Sequence, residues 1–145
     1  MIPDLIDIGA PWKVLPAGIH ASTLEEVEQR YSTNNKRREL FKGLVRACKS
    51  LKSAGCKTFY LDGSYVTDKP SPSDYDVCWN PYHVDDKKID PVFLDFSKKR
   101  AKQKLKYGGE FFLSTAKADG IHFYMQYFQS DKHTGLPKGI IQINL

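Results

Sequence analysis

The first half of the chain carries a helical pattern of apolar and polar positions. Thr23-Leu-Glu-Glu26 is a capping-box pattern, and it predicts a short helix that runs to about Tyr31. After Thr33-Asn-Asn, apolar residues recur every three or four positions, which predicts a longer amphipathic helix that ends near Gly55. The stripe on this helix consists of Leu40, Leu44, Cys48 and Leu51.

The pattern changes to β-prone runs after this point. One run stops at Gly63, one follows a loop with two prolines, one has the sequence IHFYMQYFQ, and the last alternates apolar and polar residues. We regard IHFYMQYFQ as the clearest strand pattern in the chain. The predicted strands are Lys57–Asp62, Asp74–Trp79, Ile121–Gln129 and Ile140–Leu145.

Three other segments complete the prediction. Residues 1–22 are interrupted by prolines and glycines, so we expect an irregular N-terminal arm. Lys98–Tyr107 is a helix candidate that Gly108-Gly109 would end, and the state of Val92–Phe96 stays open. Helices followed mostly by strands predict an α+β domain over residues 23–145.

Bulk composition is that of an ordinary globular domain. The chain has 145 residues, of which 41% are hydrophobic and 27% charged, enough for one domain with one core. No apolar run is long enough to cross a membrane, and the N-terminus lacks the pattern of a signal peptide. Three cysteines without CxxC spacing argue against a disulfide framework or a zinc site. We therefore expect a cytoplasmic protein with no membrane contact.

The chemistry-bearing residues surround the proline-containing loop. Gly63 and Ser64 end one predicted strand, where a tight turn can present backbone N–H groups to phosphate. Asp74 and Asp76 are two apart on the next strand, so they share one face while Tyr75 points into the core. Two adjacent carboxylates repel each other unless a cation lies between them, which predicts Mg²⁺ or Mn²⁺ there.

The stretch Phe59–Trp79, FYLDGSYVTDKPSPSDYDVCW, resembles the catalytic signature of nucleotidyltransferases of the DNA polymerase β type. It is especially similar to the minimal nucleotidyltransferases of bacterial toxin–antitoxin pairs. The resemblance implies a nucleotidyltransferase-like mixed β-sheet with flanking helices. It also implies transfer of a nucleoside monophosphate from an NTP to a protein or RNA hydroxyl, and a role in a toxin–antitoxin pair or in phage defence. Asp74 and Asp76 would hold the metal, and Gly63 and Ser64 would bind the phosphates.

The chain also resembles, across nearly its full length, a bacterial and phage domain family of unknown function, and three segments carry this resemblance. They are LDGSYVTDKPSPSDYD, LDFSKKRAKQKLKYGGE and FQSDKHTGLPKGI. This second resemblance supports the domain boundaries and implies no activity.

Active nucleotidyltransferases usually add a third carboxylate on a later strand. The predicted strand Ile121–Gln129 has no acid, and Gln126 is its nearest neutral analogue. Asp95 is therefore our leading candidate for the third catalytic acid, with Asp131 next.

Basic residues supply the remaining candidates for the site. Lys69 is the one residue after Gly63-Ser64 that could reach a phosphate. Lys102 and Lys106 are one helical turn apart in a lysine-rich run and could bind phosphate together, although a solvated helix face is the plainer interpretation.

Three hypotheses follow from the sequence. The first is a metal-dependent nucleotidyltransferase. The second is a catalytically degenerate antitoxin or partner-binding module, suggested by the acid-free strand. The third is a nucleic-acid-binding domain without chemistry, suggested by the lysine-rich run and the net charge of +5.

Overall fold

The computed structural model describes all residues from 1 to 145. It has five strands and four α-helices, with two short 3₁₀ turns at Ser64–Val66 and Pro91–Leu94. The strands are β1 (Gly18–Ser22), β2 (Thr58–Asp62), β3 (Tyr75–Trp79), β4 (Gly109–Leu113) and β5 (Gly139–Asn144). The helices are α1 (Leu24–Tyr31), α2 (Asn35–Ser53), α3 (Ser97–Tyr107) and α4 (Tyr124–Tyr127).

The five strands form one mixed sheet in the order β1-β5-β2-β3-β4. β2 lies antiparallel between β5 and β3, while β1 pairs parallel with β5 and β4 pairs parallel with β3. The prediction of an α+β domain is therefore confirmed at the level of a mixed five-stranded sheet with helices. No helix is long and apolar enough to cross a membrane.

Alternation along the strands gives the sheet two differently packed faces. Side chains such as Leu61, Val77 and Phe111 belong to the main core, which also contains the apolar stripes of α1 and α2. Side chains one position away, such as Cys78 and Ile140, join a smaller cluster with Phe128 and the residues of α4. The residues of α4 thus cover only part of the second face, and the acidic residues lie on the part that they leave open.

The helix predictions for the first half are confirmed. The Thr23 side chain accepts a hydrogen bond from the Glu26 backbone N–H at 3.2 Å and so caps α1. α2 begins after the Asn34 cap and ends before Gly55, whose φ of 102° is that of a residue after a helix end. In α3, Lys98, Lys99 and Arg100 have positive φ, so the right-handed helix follows Arg100.

The predicted strand Ile121–Gln129 is wrong, because this segment contains the short helix α4 instead. Tyr124, Met125 and Phe128 are spaced so that one turn of helix brings them together over Cys78 and Ile140. Aromatic and β-branched residues favour strands only where a neighbouring strand is available to pair with them. Here the packing of one apolar turn on the second face of the sheet overrides that preference.

Two strands were missed. β1 lies inside the predicted irregular arm, so that prediction is wrong for residues 18–22. Residues 1–17 contain only the isolated bridge Ile6–Val14. β4 begins at Gly109, the second residue of the Gly108-Gly109 pair that was predicted only as a helix end. Gly108, with φ of 84°, does end α3, but Gly109 already pairs with Tyr75 of β3.

Candidate functional site

Three carboxylates converge on the second face of the sheet. Asp74 directly precedes β3, Asp76 lies on β3, and Glu110 lies on β4. One carboxylate oxygen from each of these residues lies within 4.8 Å of the other two. All three side chains are half-buried, so the group opens to solvent while part of it is enclosed by protein.

Strand register explains how these side chains meet. Asp76 of β3 is the direct parallel partner of Glu110 of β4, and partners in register project from the same face. Tyr75, between the two aspartates, points to the opposite face, where it is buried and its hydroxyl donates to the Tyr107 carbonyl at 2.8 Å. This confirms the sequence prediction that the two aspartates share a face and Tyr75 enters the core.

Gly109 allows β4 to approach this closely. A Cβ atom at Gly109 would lie 2.4 Å from the Tyr75 ring, far inside contact distance. Glycine is therefore required where β4 begins beside Tyr75, one residue before the third carboxylate.

Gly63 meets the same acidic group from β2. Asp62, the last residue of β2, is the register partner of Asp76, so the turn at Gly63-Ser64 begins next to the acids. Gly63 has φ of 91°, and a Cβ there would lie 3.0 Å from Oδ2 of Asp76. The turn therefore needs glycine for its backbone conformation and for the room that the Asp76 carboxylate occupies.

Burial and neighbouring carboxylates make Asp74 and Asp76 hard to ionise. Burial raises the pKa of Asp76 to about 8, and the nearby carboxylates of Asp62, Asp74 and Glu110 add to the rise. Burial also raises the pKa of Asp74, and Glu110 contributes further. Carboxylates with raised pKa values in a group are a recurrent property of functional sites.

Two lysines offset part of this negative charge. Lys138 forms a largely buried ion pair with Asp62, and Lys104 pairs with Glu110 at 3.3 Å. Neither lysine pairs with Asp74 or Asp76, which keep no ion-pair partner of their own. The carboxyl groups of Asp74 and Asp76 are therefore available to a cation.

The acids line one side of a cavity of about 560 Å³. Five residues predicted from the sequence as part of the site line this cavity, namely Gly63, Ser64, Lys69, Asp74 and Asp76. The structure thus brings together the Gly-Ser turn, the two aspartates and one candidate phosphate-binding lysine.

Three other predicted site residues do not line this cavity. The Asp95 carboxylate accepts hydrogen bonds from the Ser97 backbone and hydroxyl, which lower its pKa, and it pairs with Lys102 at 3.3 Å. Lys106 pairs instead with Asp90 at 2.6 Å. The place that sequence reasoning gave to Asp95 beside the two aspartates is taken by Glu110.

Asp131, the second candidate for the third acid, does line the cavity, but its carboxylate is engaged in a turn. It is buried and accepts hydrogen bonds from the backbone N–H and the hydroxyl of Thr134, both at 2.7 Å. These bonds lower its pKa although burial alone would raise it. Asp131 therefore shapes the turn at the cavity edge and does not join the three clustered acids.

Glu110 was not among the predicted site residues, because its strand was not predicted. The signal was present in the run Gly109-Glu-Phe-Phe-Leu113, which combines an acid with β-prone residues directly after a helix end. A parallel strand beside β3 would have placed this acid opposite Asp76.

These features define the class of protein: a small α+β domain with a three-carboxylate cluster beside a Gly-Ser turn on a mixed sheet. The chain belongs to the family of unknown function DUF6932, whose model matches residues 10–144. No curated protein and no solved structure matches the chain.

Proposed function

We propose that this protein is a metal-dependent nucleotidyltransferase that moves a nucleoside monophosphate from an NTP to a protein or RNA hydroxyl. The observation that carries the proposal is the convergence of Asp74, Asp76 and Glu110 beside the Gly63-Ser64 turn at one cavity. A Gly-Ser strand antiparallel to an Asp-x-Asp strand, with a third acid on the neighbouring strand, agrees with the nucleotidyltransferase resemblance of the sequence.

The donor set fits a divalent cation. Mg²⁺ and Mn²⁺ favour hard oxygen ligands, and the cluster offers three carboxylates and no nitrogen or sulfur ligand. Burial, and after it the carboxylates of Asp62, Asp74 and Glu110, raise the pKa of Asp76 to about 8, and a bound cation would favour its ionised form. Asp74, Asp76 and Glu110 would hold the metal, which would neutralise the triphosphate oxygens and the charge that develops during transfer.

The neighbouring residues suit a triphosphate. Ser64 can donate its hydroxyl at the turn, where Gly63 leaves room for close approach. Lys69 and Lys132 line the same cavity, and neither has an acidic partner within ion-pairing distance. These two free cations can therefore bind phosphate without first breaking an internal ion pair.

The proposed reaction is an in-line displacement at the α-phosphorus. The acceptor hydroxyl oxygen forms a bond to this phosphorus, the bond from it to the bridging oxygen breaks, and pyrophosphate leaves with the electron pair. The hydroxyl proton passes to a carboxylate of the cluster and from there to solvent.

Two observations favour the enzyme over the alternative hypotheses. A degenerate antitoxin was suggested by the small size of the domain and by the absence of an acid on the predicted later strand, and β4 offers an acid in Glu110. Binding of nucleic acid without chemistry was suggested by the lysine-rich run. Within that run, Lys102, Lys104 and Lys106 each pair with an acid of the same domain.

Label transfer tests the proposal. The native protein is incubated with each α-³²P NTP in turn, with Mg²⁺ or Mn²⁺ and with host protein and RNA as acceptors. The matched variants are Asp74→Asn/Asp76→Asn and, as a control, Asp85→Asn/Asp86→Asn, which lies in an exposed turn outside the cavity. Label transferred by the native and control proteins but not by the cluster variant supports the proposal. Equal transfer by the cluster variant overturns it.

A further inference from the structure

The cavity continues from the acids onto an aromatic surface. Phe112 follows Glu110 by two residues on β4, so both side chains project from the second face of the sheet. Tyr124, Tyr127 and Phe128 line the cavity beyond Phe112. Acidic and aromatic side chains thus line one cavity.

The aromatic side chains of the cavity pack against one another and against Arg100. The ring centroids of Phe112 and Tyr124 are 4.6 Å apart, and those of Phe112 and Phe128 are 5.5 Å apart. The Arg100 guanidinium lies over Phe112 at 3.9 Å from the ring centroid. The Tyr127 backbone N–H donates to the Phe123 carbonyl at 2.9 Å, which holds Tyr127 on α4. Tyr127 is 52% exposed, so its ring is available to a ligand.

Trp12 adds a second available ring from the N-terminal segment. It lines the cavity and is 38% exposed. The next residue anchors it, because the Lys13 backbone N–H donates to the Asp68 carboxylate at 2.8 Å and the Asp68 N–H donates to the Lys13 carbonyl at 3.4 Å. Trp12 is therefore fixed beside the loop that carries Lys69.

Other exposed hydrophobic residues, such as Tyr82 at 82%, lie outside the cavity, and a scatter of single exposed residues is normal for a protein surface. Trp12 and Tyr127 differ because they are exposed and also line the same cavity as the three clustered acids. Flat aromatic rings beside a phosphate-binding end suit stacking on a nucleobase, to which every base offers a π-face.

We propose that Trp12 and Tyr127 form the subsite for the nucleobase of the donor, so that the substrate is a nucleoside triphosphate and not a base-free polyphosphate. The inference rests on the proposed function, which places the phosphates at the acidic end. The cavity volume of about 560 Å³ lies within the roughly 300–1,000 Å³ usual for small-molecule sites. The base stacks at the aromatic end while Gly63, Ser64 and Lys69 bind the phosphates.

Calorimetric titration with two probes tests this subsite. ATP and inorganic tripolyphosphate, each with Mn²⁺, are titrated into the native protein, Trp12→Ala, Tyr127→Ala and the control Tyr82→Ala. We expect the native protein and the control to bind ATP more tightly than tripolyphosphate. Each cavity variant should lose roughly 5- to 150-fold in ATP affinity, the range for loss of one base–aromatic stack, with unchanged affinity for tripolyphosphate. Tyr127→Phe should bind ATP like the native protein, because it keeps the ring.

The outcomes separate this inference from the proposed function. Equal native affinity for ATP and tripolyphosphate, or cavity variants that bind ATP like the native protein, would overturn the base subsite and leave the phosphate site standing. Failure of the native protein to bind either probe would overturn both. A parallel loss of both probes in Tyr127→Ala, with normal binding by Tyr127→Phe, would show that the ring supports the cavity and does not contact the base.

Discussion

Asp76 and Glu110 are direct register partners on the parallel strands β3 and β4, although 34 positions separate them in the chain. This pairing adds a third carboxylate to the two that a single strand can present. Because β4 is an edge strand, the acids lie where the sheet ends and the cavity opens. The position of Glu110 therefore adds a third acid to the site that the Gly63-Ser64 turn and the two aspartates form.

Replacing Glu110 by glutamine should weaken divalent-metal binding. The amide keeps the shape of the side chain but removes one anionic ligand, so we expect Mn²⁺ affinity to fall by more than about 10-fold, since even the outer partners of metal ligands contribute roughly 10- to 100-fold. Calorimetric titration of Mn²⁺ measures the change. Asp95→Asn is the matched control, because that carboxylate pairs with Lys102 outside the cavity. Equal losses in both variants would contradict the placement of the metal.

The same substitution should stabilise the metal-free protein. Glu110 is one of the neighbouring charges that raise the pKa of Asp76, so its removal relieves repulsion in the folded state above about pH 8, where Asp76 is ionised. We expect a higher thermal denaturation midpoint for metal-free Glu110→Gln than for the native protein, together with a smaller upward shift when Mn²⁺ is added. A lower midpoint without metal would indicate that the ion pair with Lys104 outweighs the repulsion.

Alanine at Gly63 should damage the site more than alanine at another glycine with positive φ. The new Cβ would lie 3.0 Å from the Asp76 carboxylate, and the backbone conformation there is one that glycine favours. A strained backbone of this kind costs on the order of 1–3 kcal/mol of unfolding free energy. Gly135→Ala is the control, because Gly135 also has positive φ but no atom within 4 Å of the new Cβ.

Urea denaturation and Mn²⁺ titration separate the two effects of these glycine variants. Both variants should lose stability through backbone strain, whereas only Gly63→Ala should also lose metal affinity. Native-like metal binding by Gly63→Ala would show that the turn tolerates a side chain beside Asp76.

Metal binding should depend on pH through Asp76. Its pKa of about 8 means that the carboxyl group is mostly protonated below pH 8, and a cation must displace that proton. Affinity for Mg²⁺ should therefore rise by up to roughly tenfold per pH unit from about pH 6 to about pH 8 and then level off. Calorimetry across this range measures the slope, and Asp76→Asn should flatten it. A flat profile for the native protein would show that Asp76 is already ionised.

The sign for stability is opposite to that for metal affinity. The folded metal-free protein retains a proton on Asp76 that the unfolded chain releases above its ordinary pKa of 3.8. The free energy of unfolding should therefore fall as pH rises from about 4 to about 8 through this group. Saturating Mg²⁺ should reduce that loss, because the cation replaces the proton.

Much of the site could be predicted from local sequence. Gly63-Ser64 and Asp74-Tyr75-Asp76 are short patterns whose geometry follows from strand alternation and turn chemistry, and the structure places these residues at one cavity. Thr23 and Asn34 cap their helices through local hydrogen bonds, so the starts of α1 and α2 could also be predicted from the sequence. Each of these features depends on residues only a few positions apart.

Features that depend on long-range packing could not be predicted. Gly109 looked like a helix end, and only its contact with Tyr75 shows that it begins a strand. The segment 121–129 carries β-prone residues, but its apolar side chains pack as a helical turn on Cys78 and Ile140. Asp95 was proposed as the third acid because the predicted strand Ile121–Gln129 has none, and Glu110 was not considered because β4 was not predicted.

Comparison of two labels in one reaction tests the central claim most directly. The protein, Mg²⁺ and the acceptor mixture are supplied with an NTP labelled with ³²P at either the α or the γ position. The NTP is ATP, or whichever NTP gave the most transfer in the α-³²P experiment above. Nucleotidyl transfer predicts that the α label becomes bound to protein or RNA while the γ label is released in pyrophosphate, and that Glu110→Gln abolishes both results while Asp95→Asn does not. Label on the acceptor from the γ position, or equal transfer by Glu110→Gln, would contradict the account.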